Sequence, residues 1–339
     1  MSLMREEALS APERVASQLA ANEVATRALA DRLKQRPPRA LISVARGSSD
    51  HAVAFISYLV MQRLAIPAAS LPLSLTTLEE TAWRVDEMLA LAISQSGRSP
   101  DLIDMQRALG AGGAMTVAMV NVPDSPLAQA SETTLALHAG EERSVAATKS
   151  FLAALAAGAQ LVGAWSGDDA LLEAVTQLPA RLREAAASDW SPAIAPLRDA
   201  SHMMVVGRGS TLAIAQEAAL KFKETCGIQA EAFSGAEIQH GPMALVDEGY
   251  PVLILAPPGN GQAGLLELAG SFRSRGACVL LAADHSVAER DLTLTCADHS
   301  LLHPLCAIQS FYPMIEQLAR ARGLDPDHPR HLRKVTETR

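Results

Sequence analysis

Two glutamates and a lysine share one face of a predicted helix in the second half of the chain. In the segment EAALKFKE, Glu217, Lys221 and Glu224 follow one another at spacings of four and three. At 3.6 residues per turn, these spacings bring the three side chains onto one stripe. Two carboxylates and an ammonium on one stripe could act as acid/base machinery. The alternative is a solvated face with modest ion pairing.

A second candidate site is a serine-rich loop in the first half of the chain. The segment SQSGRSPD, residues 94–101, follows an apolar strand and leads into a helix that opens near Pro100. Hydroxyls and backbone N–H groups at the positive end of a helix are what a phosphate monoester needs. Ser48 and Ser49 follow the first strand and would lie beside this loop at the carboxyl edge of a sheet. The alternative is that each serine caps a helix.

The elements that position these residues occur twice in the chain. Leu41–Ser48 reads LISVARGS and Met203–Ser210 reads MMVVGRGS, an offset of 162 residues. The same offset aligns LAI at 91–93 with LIL at 253–255, and VAM at 117–119 with VLL at 279–281. Each half alternates short apolar strands with helical stretches, a pattern typical of a parallel sheet with helices on both faces. The sequence therefore predicts an α/β fold of two tandem, doubly wound parallel-sheet domains related by internal duplication.

The two halves differ where a ligand would bind. At the position of the serine loop, the second half has Ala256-Pro257-Pro258-Gly259. The hydroxyls are thus kept in one copy and lost in the other. This difference favours phosphate binding by the first half.

Composition and charge exclude several classes of protein. The 339 residues are 49% hydrophobic and 4% aromatic, and they suffice for two domains of ordinary size. A net charge of -8 argues against a nucleic-acid partner, and no apolar run or basic leader predicts a membrane span or secretion. The four cysteines have no Cys-x-x-Cys spacing, which favours reduced thiols in a cytoplasmic protein. No ligand cluster predicts a metal site.

Five motifs give the chain its resemblance to a known family. They are SQSG at 94–97, ERSVAATKSF at 142–151, EAALKFKE at 217–224, EIQHGP at 237–242 and DPDHPRHLRK at 325–334. Together they resemble the double sugar-isomerase (SIS) domain proteins, especially the isomerase half of glucosamine-6-phosphate synthase and its relatives that deaminate or isomerise aminosugar phosphates. The resemblance runs from about residue 40 to the C-terminus and implies flavodoxin-like SIS domains. With the repeat, it predicts a helical lead-in at 4–35, SIS domains at 36–188 and 189–320, and a tail over the active site at 321–339.

The resemblance assigns roles to individual residues. It implies that Glu224 moves the proton between C1 and C2 of the opened sugar, and that His240, reaching in from a neighbouring subunit, opens the ring. Lys334 matches a lysine that forms an imine with the open-chain ketose, with Glu217 and Lys221 as supporting members of the site. The phosphate is expected to be held by Ser48, Ser49, Ser94, Gln95, Ser96 and Ser99, with weaker contributions from Arg98, Val145 and Ala146. Without the resemblance, His240 would read as a loop histidine and Lys334 as part of a disordered terminus.

These roles imply an aminosugar-phosphate deaminase that converts glucosamine 6-phosphate and water to fructose 6-phosphate and ammonia. The sequence from Arg98 to Asp101 resembles the stand-alone deaminase and isomerase branch rather than the synthase. We also expect no glutaminase domain before residue 40, which removes glutamine as an ammonia source. Ring opening, proton transfer and imine hydrolysis require neither a metal nor an organic cofactor.

The sequence also admits other functions and predicts two kinds of partner. A ketose/aldose isomerase and a deglycase of glycated amino-acid phosphates are alternative enzymes, and a non-catalytic sugar-phosphate sensor is an alternative of another class. The choice between gluco and galacto epimers stays open. The expected partners are a small-molecule sugar phosphate and a second copy of the chain in a homodimer with shared active sites. No nucleic-acid or membrane partner is expected.

Overall fold

The computed structural model describes residues 1–334, which divide into two compact units. The first-sheet unit comprises Glu13–Glu142, Lys149–Thr176, Arg333 and Lys334. The second-sheet unit comprises Met1–Pro12, Arg143–Thr148 and Gln177–Leu332. Each unit contains one five-stranded sheet. The predicted linear boundaries at residues 36, 189 and 321 stay predictions.

The strands of both sheets pair in parallel throughout the described residues. The first sheet contains β1 (Ala40–Val44), β2 (Ala68–Ser70), β3 (Met88–Ser94), β4 (Met115–Val120) and β5 (Thr133–Ala136). The second contains β6 (His202–Gly207), β7 (Gln229–Ser234), β8 (Pro251–Ala256), β9 (Cys278–Ala283) and β10 (Leu292–Thr293). Their orders are β2-β1-β3-β4-β5 and β10-β9-β8-β6-β7. Counted from the first strand of each unit, both are the flavodoxin-like order 2-1-3-4-5.

Helices connect the strands. They are α1 (Leu3–Gln35), α2 (Ser48–Leu64), α3 (Ser74–Thr77), α4 (Pro100–Ala111), α5 (Pro126–Gln129), α6 (Lys149–Ser166), α7 (Asp169–Ala186), α8 (Ile194–Leu197), α9 (Thr211–Cys226), α10 (Gln262–Ser274) and α11 (His303–Ala321). Short 3₁₀ helices lie at Ser191–Ala193, Glu237–His240, Pro242–Leu245 and Ser300–Leu302. None of these helices combines the length and apolar character needed to cross a membrane.

The same inward positions build the core of each sheet. In the first sheet Ile42 and Ala92 are buried in a cluster with Leu102 of α4. In the second sheet Met204 and Ile254, which lie 162 residues further on, are buried in the equivalent cluster. Alternate residues of a strand share a face, so these apolar runs bury one face against a helix in each copy. The predicted α/β fold with internal duplication is confirmed.

The strand order determines where a ligand could bind. In the first sheet β1 lies between β2 and β3, so the connections after β1 and β3 leave in opposite directions. Ligands of open α/β sheets bind in the crevice at the carboxyl ends of the two strands that flank such a switch point. Ser48 and Ser49 begin α2 directly after the turn that follows β1, and the loop after β3 carries residues 95–99. The fold thus places both parts of the predicted phosphate site at one edge of one sheet.

Candidate active site

The predicted phosphate loop is a tight turn held by its own serine hydroxyls. Ser94 is the buried last residue of β3, and its Oγ accepts the Gly97 N–H at 3.0 Å. Ser96 Oγ accepts the Arg98 N–H at 3.3 Å. Gly97 has a φ of 63°, and a Cβ at this position would lie 2.1 Å from Ser125 Oγ. The turn therefore requires glycine at residue 97.

The end of the loop begins α4. Ser99 precedes the helix with extended backbone angles and makes no side-chain capping hydrogen bond, and Pro100 is the first helical residue. Ser99 therefore occupies the N-cap position without making the capping hydrogen bond. Gln95, Ser96 and Ser99 are half-buried, whereas Arg98 is exposed. The loop combines hydroxyl groups with the positive end of a twelve-residue helix, as phosphate binding requires.

An ion pair that sequence reasoning missed joins the two parts of the predicted phosphate site. Ser48 and Ser49, both half-buried, are the first residues of α2. Two residues before Ser48, Arg46 donates from Nε to Asp101 Oδ2 at 2.7 Å. Asp101 is buried in the first turn of α4, while half of the Arg46 side chain is exposed. The pair links the turn after β1 to the helix after the loop. Arg46 belongs to the repeated Arg-Gly-Ser motif, but nothing in the sequence identified its partner.

The charged stripe on α9 is buried and not a solvated face. The side chains of Glu217 and Lys221 are 0% exposed, and that of Glu224 is 21% exposed. Lys221 Nζ lies 3.2 Å from Glu217 Oε1 and 2.5 Å from Glu224 Oε2. The helical spacing brings the three residues together as predicted. Glu224 is the one carboxylate of this stripe that reaches solvent.

The surroundings keep the Lys221 side chain charged. Burial acts to lower the pKa of Lys221, but the carboxylates of Glu217 and Glu224 raise it, and the net pKa lies well above its usual value. Tyr312 of α11 donates a long hydrogen bond of 3.5 Å to Glu217 Oε1. Lys221 is therefore an ammonium that holds Glu224 rather than a neutral amine.

The other predicted residues of the second-sheet unit lie outside α9. His240 ends the 3₁₀ helix Glu237–His240 and is exposed. Val145 is half-buried, and its N–H donates to the Asp327 carbonyl at 3.3 Å, whereas Ala146 is buried.

Lys334 is held by a buried carboxylate of the first-sheet unit. Its Nζ donates to Glu142 Oε2 at 3.0 Å, and the Glu142 side chain is 0% exposed. The same carboxylate accepts the N–H and Oγ–H of Ser150 in the first turn of α6. Glu142 lies in one of the five family motifs, but sequence reasoning gave it no role. The predicted site residues thus form two groups: the phosphate loop and Lys334 in the first-sheet unit, and Glu217, Lys221, Glu224, His240, Val145 and Ala146 in the second-sheet unit.

The duplicated loop of the second sheet has a different construction. After β8, Pro257, Pro258 and Gly259 lead towards α10, whose cap is Gly261. No serine occupies this turn. Among residues 1–334, no group of three or more His, Cys, Asp or Glu side chains is arranged to hold a metal ion.

Comparison with known proteins identifies the family. The SIS domain model matches residues 36–164 and 196–319. The chain therefore belongs to the SIS domain family and carries two SIS domains.

The chain is also similar to individual proteins whose names refer to phosphorylated sugars. A glutamine-fructose-6-phosphate aminotransferase (isomerizing) of Zymomonas mobilis is 33% identical over 290 residues, which are 78% of this chain and 47% of the relative. The chain spans about half the length of the curated relatives it matches. A solved structure from Silicibacter pomeroyi DSS-3, provisionally called a phosphosugar isomerase, is 40% identical with a TM-score of 0.91, and covers 96% of this chain and 100% of that one. The C-terminal domain of a glucosamine-fructose-6-phosphate aminotransferase from Francisella tularensis is 25% identical with a TM-score of 0.86, over 97% and 98% of the two chains.

Replacing Ser94 and Ser96 together by Ala is expected to raise KM for a sugar phosphate by about tenfold or more. Hydrogen bonds to a charged group contribute about 1.5–3 kcal/mol each, and the double variant also removes two contacts that shape the turn. Steady-state kinetics measures the effect. Ser210→Ala, at the duplicate position of Ser48, is the matched control and should leave KM unchanged. An unchanged KM in the double variant would remove this loop from the binding site.

Proposed function

We propose that the protein is a SIS-type aminosugar-phosphate deaminase that converts glucosamine 6-phosphate and water to fructose 6-phosphate and ammonia. The observation that carries the proposal is the buried stripe on α9. Glu224 is partly exposed and accepts a hydrogen bond from the Lys221 ammonium. The Lys221 side chain is 0% exposed, so water does not solvate this ammonium. A carboxylate kept in place by such a neighbour suits repeated proton transfer.

The proposed chemistry assigns one step to each group. Once the sugar ring is open, Glu224 takes the proton from C2 and returns it to C1, while a second proton passes from the amine nitrogen to O1. The 2-amino aldose thus becomes a 2-imino sugar with a hydroxyl at C1. Ammonia leaves C2 when the Lys334 amine replaces it, and water then hydrolyses the lysine imine to give the ketose and the free amine of Lys334. His240 is proposed to open the ring as acid/base, and Lys334 to exchange with ammonia at C2 as an imine. These steps use protein side chains and water alone.

The phosphate loop and the relatives support a sugar phosphate as the substrate. The loop offers Ser94, Ser96 and Ser99 beside the first turn of α4. The Zymomonas relative acts on fructose 6-phosphate by its name, and it is 33% identical to this chain. The amine-losing reaction is favoured by the sequence from Arg98 to Asp101, in which Pro100 begins α4 and Asp101 pairs with Arg46. This form of the loop resembles the deaminase and isomerase branch of the family.

The decisive experiment measures ammonia release without glutamine. Purified protein with glucosamine 6-phosphate, or with its galacto epimer, should release ammonia and form ketose phosphate in equal amounts. Ammonia is measured by coupling to glutamate dehydrogenase, and the ketose phosphate by a separate coupled assay. Turnover of glucose 6-phosphate or of a glycated amino-acid phosphate, with no ammonia from either aminosugar, would replace the deaminase by an isomerase or a deglycase. Tight binding of sugar phosphate without any turnover would indicate a sensor.

The proposal includes a homodimer and a cytoplasmic location. By resemblance, His240 serves the site of a second copy of the chain, and its exposure in the second-sheet unit is compatible with this role. Light scattering of the active protein tests the dimer, and full activity in a monomer would contradict it.

A further inference from the structure

Glu142 is a buried carboxylate with three donors from two distant parts of the chain. It lies between β5 and α6, and its Oε1 accepts the Ser150 N–H at 3.1 Å. Its Oε2 accepts the Ser150 hydroxyl at 2.6 Å and the Lys334 ammonium at 3.0 Å. Ser150 belongs to the first turn of α6, whereas Lys334 is 192 residues away in sequence from Glu142.

A carboxylate in this position needs these donors. Removing a carboxylate from water is unfavourable unless hydrogen bonds and an opposite charge compensate, and the Glu142 side chain has no exposed surface. Ser150 and the positive end of α6 supply part of this compensation, and the Lys334 ammonium supplies the opposite charge. In turn, a lysine side chain has many conformations to lose, so it becomes ordered only where a strong partner holds it.

We propose that Glu142 is the positioning residue that holds the Lys334 amine in its working place. This inference rests on the proposed function, in which Lys334 forms an imine at C2 of the open sugar. A lysine side chain can sweep a wide volume around its Cα, whereas an amine fixed by a buried carboxylate has one location. The Lys334 side chain is 23% exposed, so the amine is held at a protein surface and stays within reach of a small molecule.

A purely structural role for Glu142 predicts a different outcome from that of a positioning role. If the carboxylate only stabilises the start of α6, then Ser150→Ala and Glu142→Gln should have similar effects. If it positions Lys334, Glu142→Gln should disturb the position of the Lys334 side chain much more strongly than Ser150→Ala does. Glu142→Gln has nearly the same shape as the native residue, and Glu141→Gln, an exposed neighbour, is the matched control for the loss of one negative charge.

The first measurement needs no substrate. Limited trypsin digestion of the full-length protein, followed by intact mass, gives the rate of cleavage after Lys334. Glu142→Gln should raise this rate about tenfold, the factor expected when one hydrogen bond to a charged group is weakened. Glu141→Gln and Ser150→Ala should cleave at the wild-type rate. Wild-type cleavage in Glu142→Gln, or equal acceleration in Ser150→Ala, would overturn the proposal.

The second measurement reads the chemistry of Lys334. Fructose 6-phosphate and sodium borohydride are added together, and the mass of the reduced adduct and its peptide position are determined. Glu142→Gln should lower the adduct yield at Lys334 and kcat by about tenfold each, with KM changed by less than about threefold, because phosphate binding is untouched. Equal adduct yields in wild type and Glu142→Gln would overturn the positioning role. If wild type forms no adduct while trypsin still cleaves Glu142→Gln faster, the anchoring of Lys334 is supported and the imine step of the proposed function fails instead.

Discussion

Glu224→Gln is expected to lower kcat about 1000-fold while changing KM by less than about threefold. General acid–base catalysis contributes about 10²–10⁴-fold, and an amide cannot take up the C2 proton. The glutamine keeps the shape of the side chain, and its carbonyl oxygen can still accept the hydrogen bond from Lys221 that Glu224 Oε2 accepts at 2.5 Å. The loss should therefore fall on the proton-transfer transition state and not on substrate binding. Steady-state kinetics with glucosamine 6-phosphate measures both constants.

Two further measurements make this result specific to proton transfer. Glu231→Gln, an exposed carboxylate on β7 of the same unit, is the control for the loss of charge and should keep full activity. Exchange of the C2 deuterium of labelled substrate into solvent should disappear in Glu224→Gln and persist in Glu231→Gln. If Glu224→Gln keeps the wild-type kcat, the base is another residue and the α9 stripe is a structural network.

Periodicity and repetition were sufficient to predict the fold. Ile42 and Ala92 recur as Met204 and Ile254 at one offset, and each pair occupies the same inward position of its sheet. Apolar runs of strand length that alternate with helices admit few arrangements other than a parallel sheet. The carboxyl-edge location of the serine loop followed from this arrangement, whereas the flavodoxin-like order of the strands was implied by the family resemblance.

The pairings between distant residues could not be predicted in the same way. Arg46 and Asp101 are 55 residues apart, and Glu142 and Lys334 are 192 apart. Local spacing carries no information about such pairs, because tertiary packing alone determines which charges meet. The burial of the α9 stripe could not be predicted either. The spacing of Glu217, Lys221 and Glu224 predicts a shared face, and this holds for a solvated helix and for a buried one alike.

The burial of that stripe leads to the largest expected effect on stability. Lys221→Met should lower the free energy of unfolding of the second-sheet unit by about 3–5 kcal/mol, because it leaves the fully buried Glu217 without its ammonium. Lys223→Met, on the exposed side of the same helix, is the matched control and should change stability by less than about 0.5 kcal/mol. Replacing Glu217 by Gln in the Lys221→Met background should restore part of the loss, since the unpaired charge is then removed.

Urea unfolding can report this unit separately. Trp83 and Trp165 belong to the first-sheet unit and Trp190 to the second-sheet unit, so a Trp83→Phe and Trp165→Phe background leaves Trp190 as the fluorescent reporter.

The pKa of Lys221 is raised by folding, so its stabilising contribution is fully present below its unfolded pKa of about 10.4 and is lost only as the pH rises through the higher folded value. The difference in the free energy of unfolding between wild type and Lys221→Met should therefore not change between about pH 6 and pH 9 through the titration of Lys221. If Lys221→Met lowers the free energy of unfolding by less than about 1 kcal/mol, the stripe is hydrated in solution. Glu224 would then lack the fixed ammonium on which the proposed proton transfer depends.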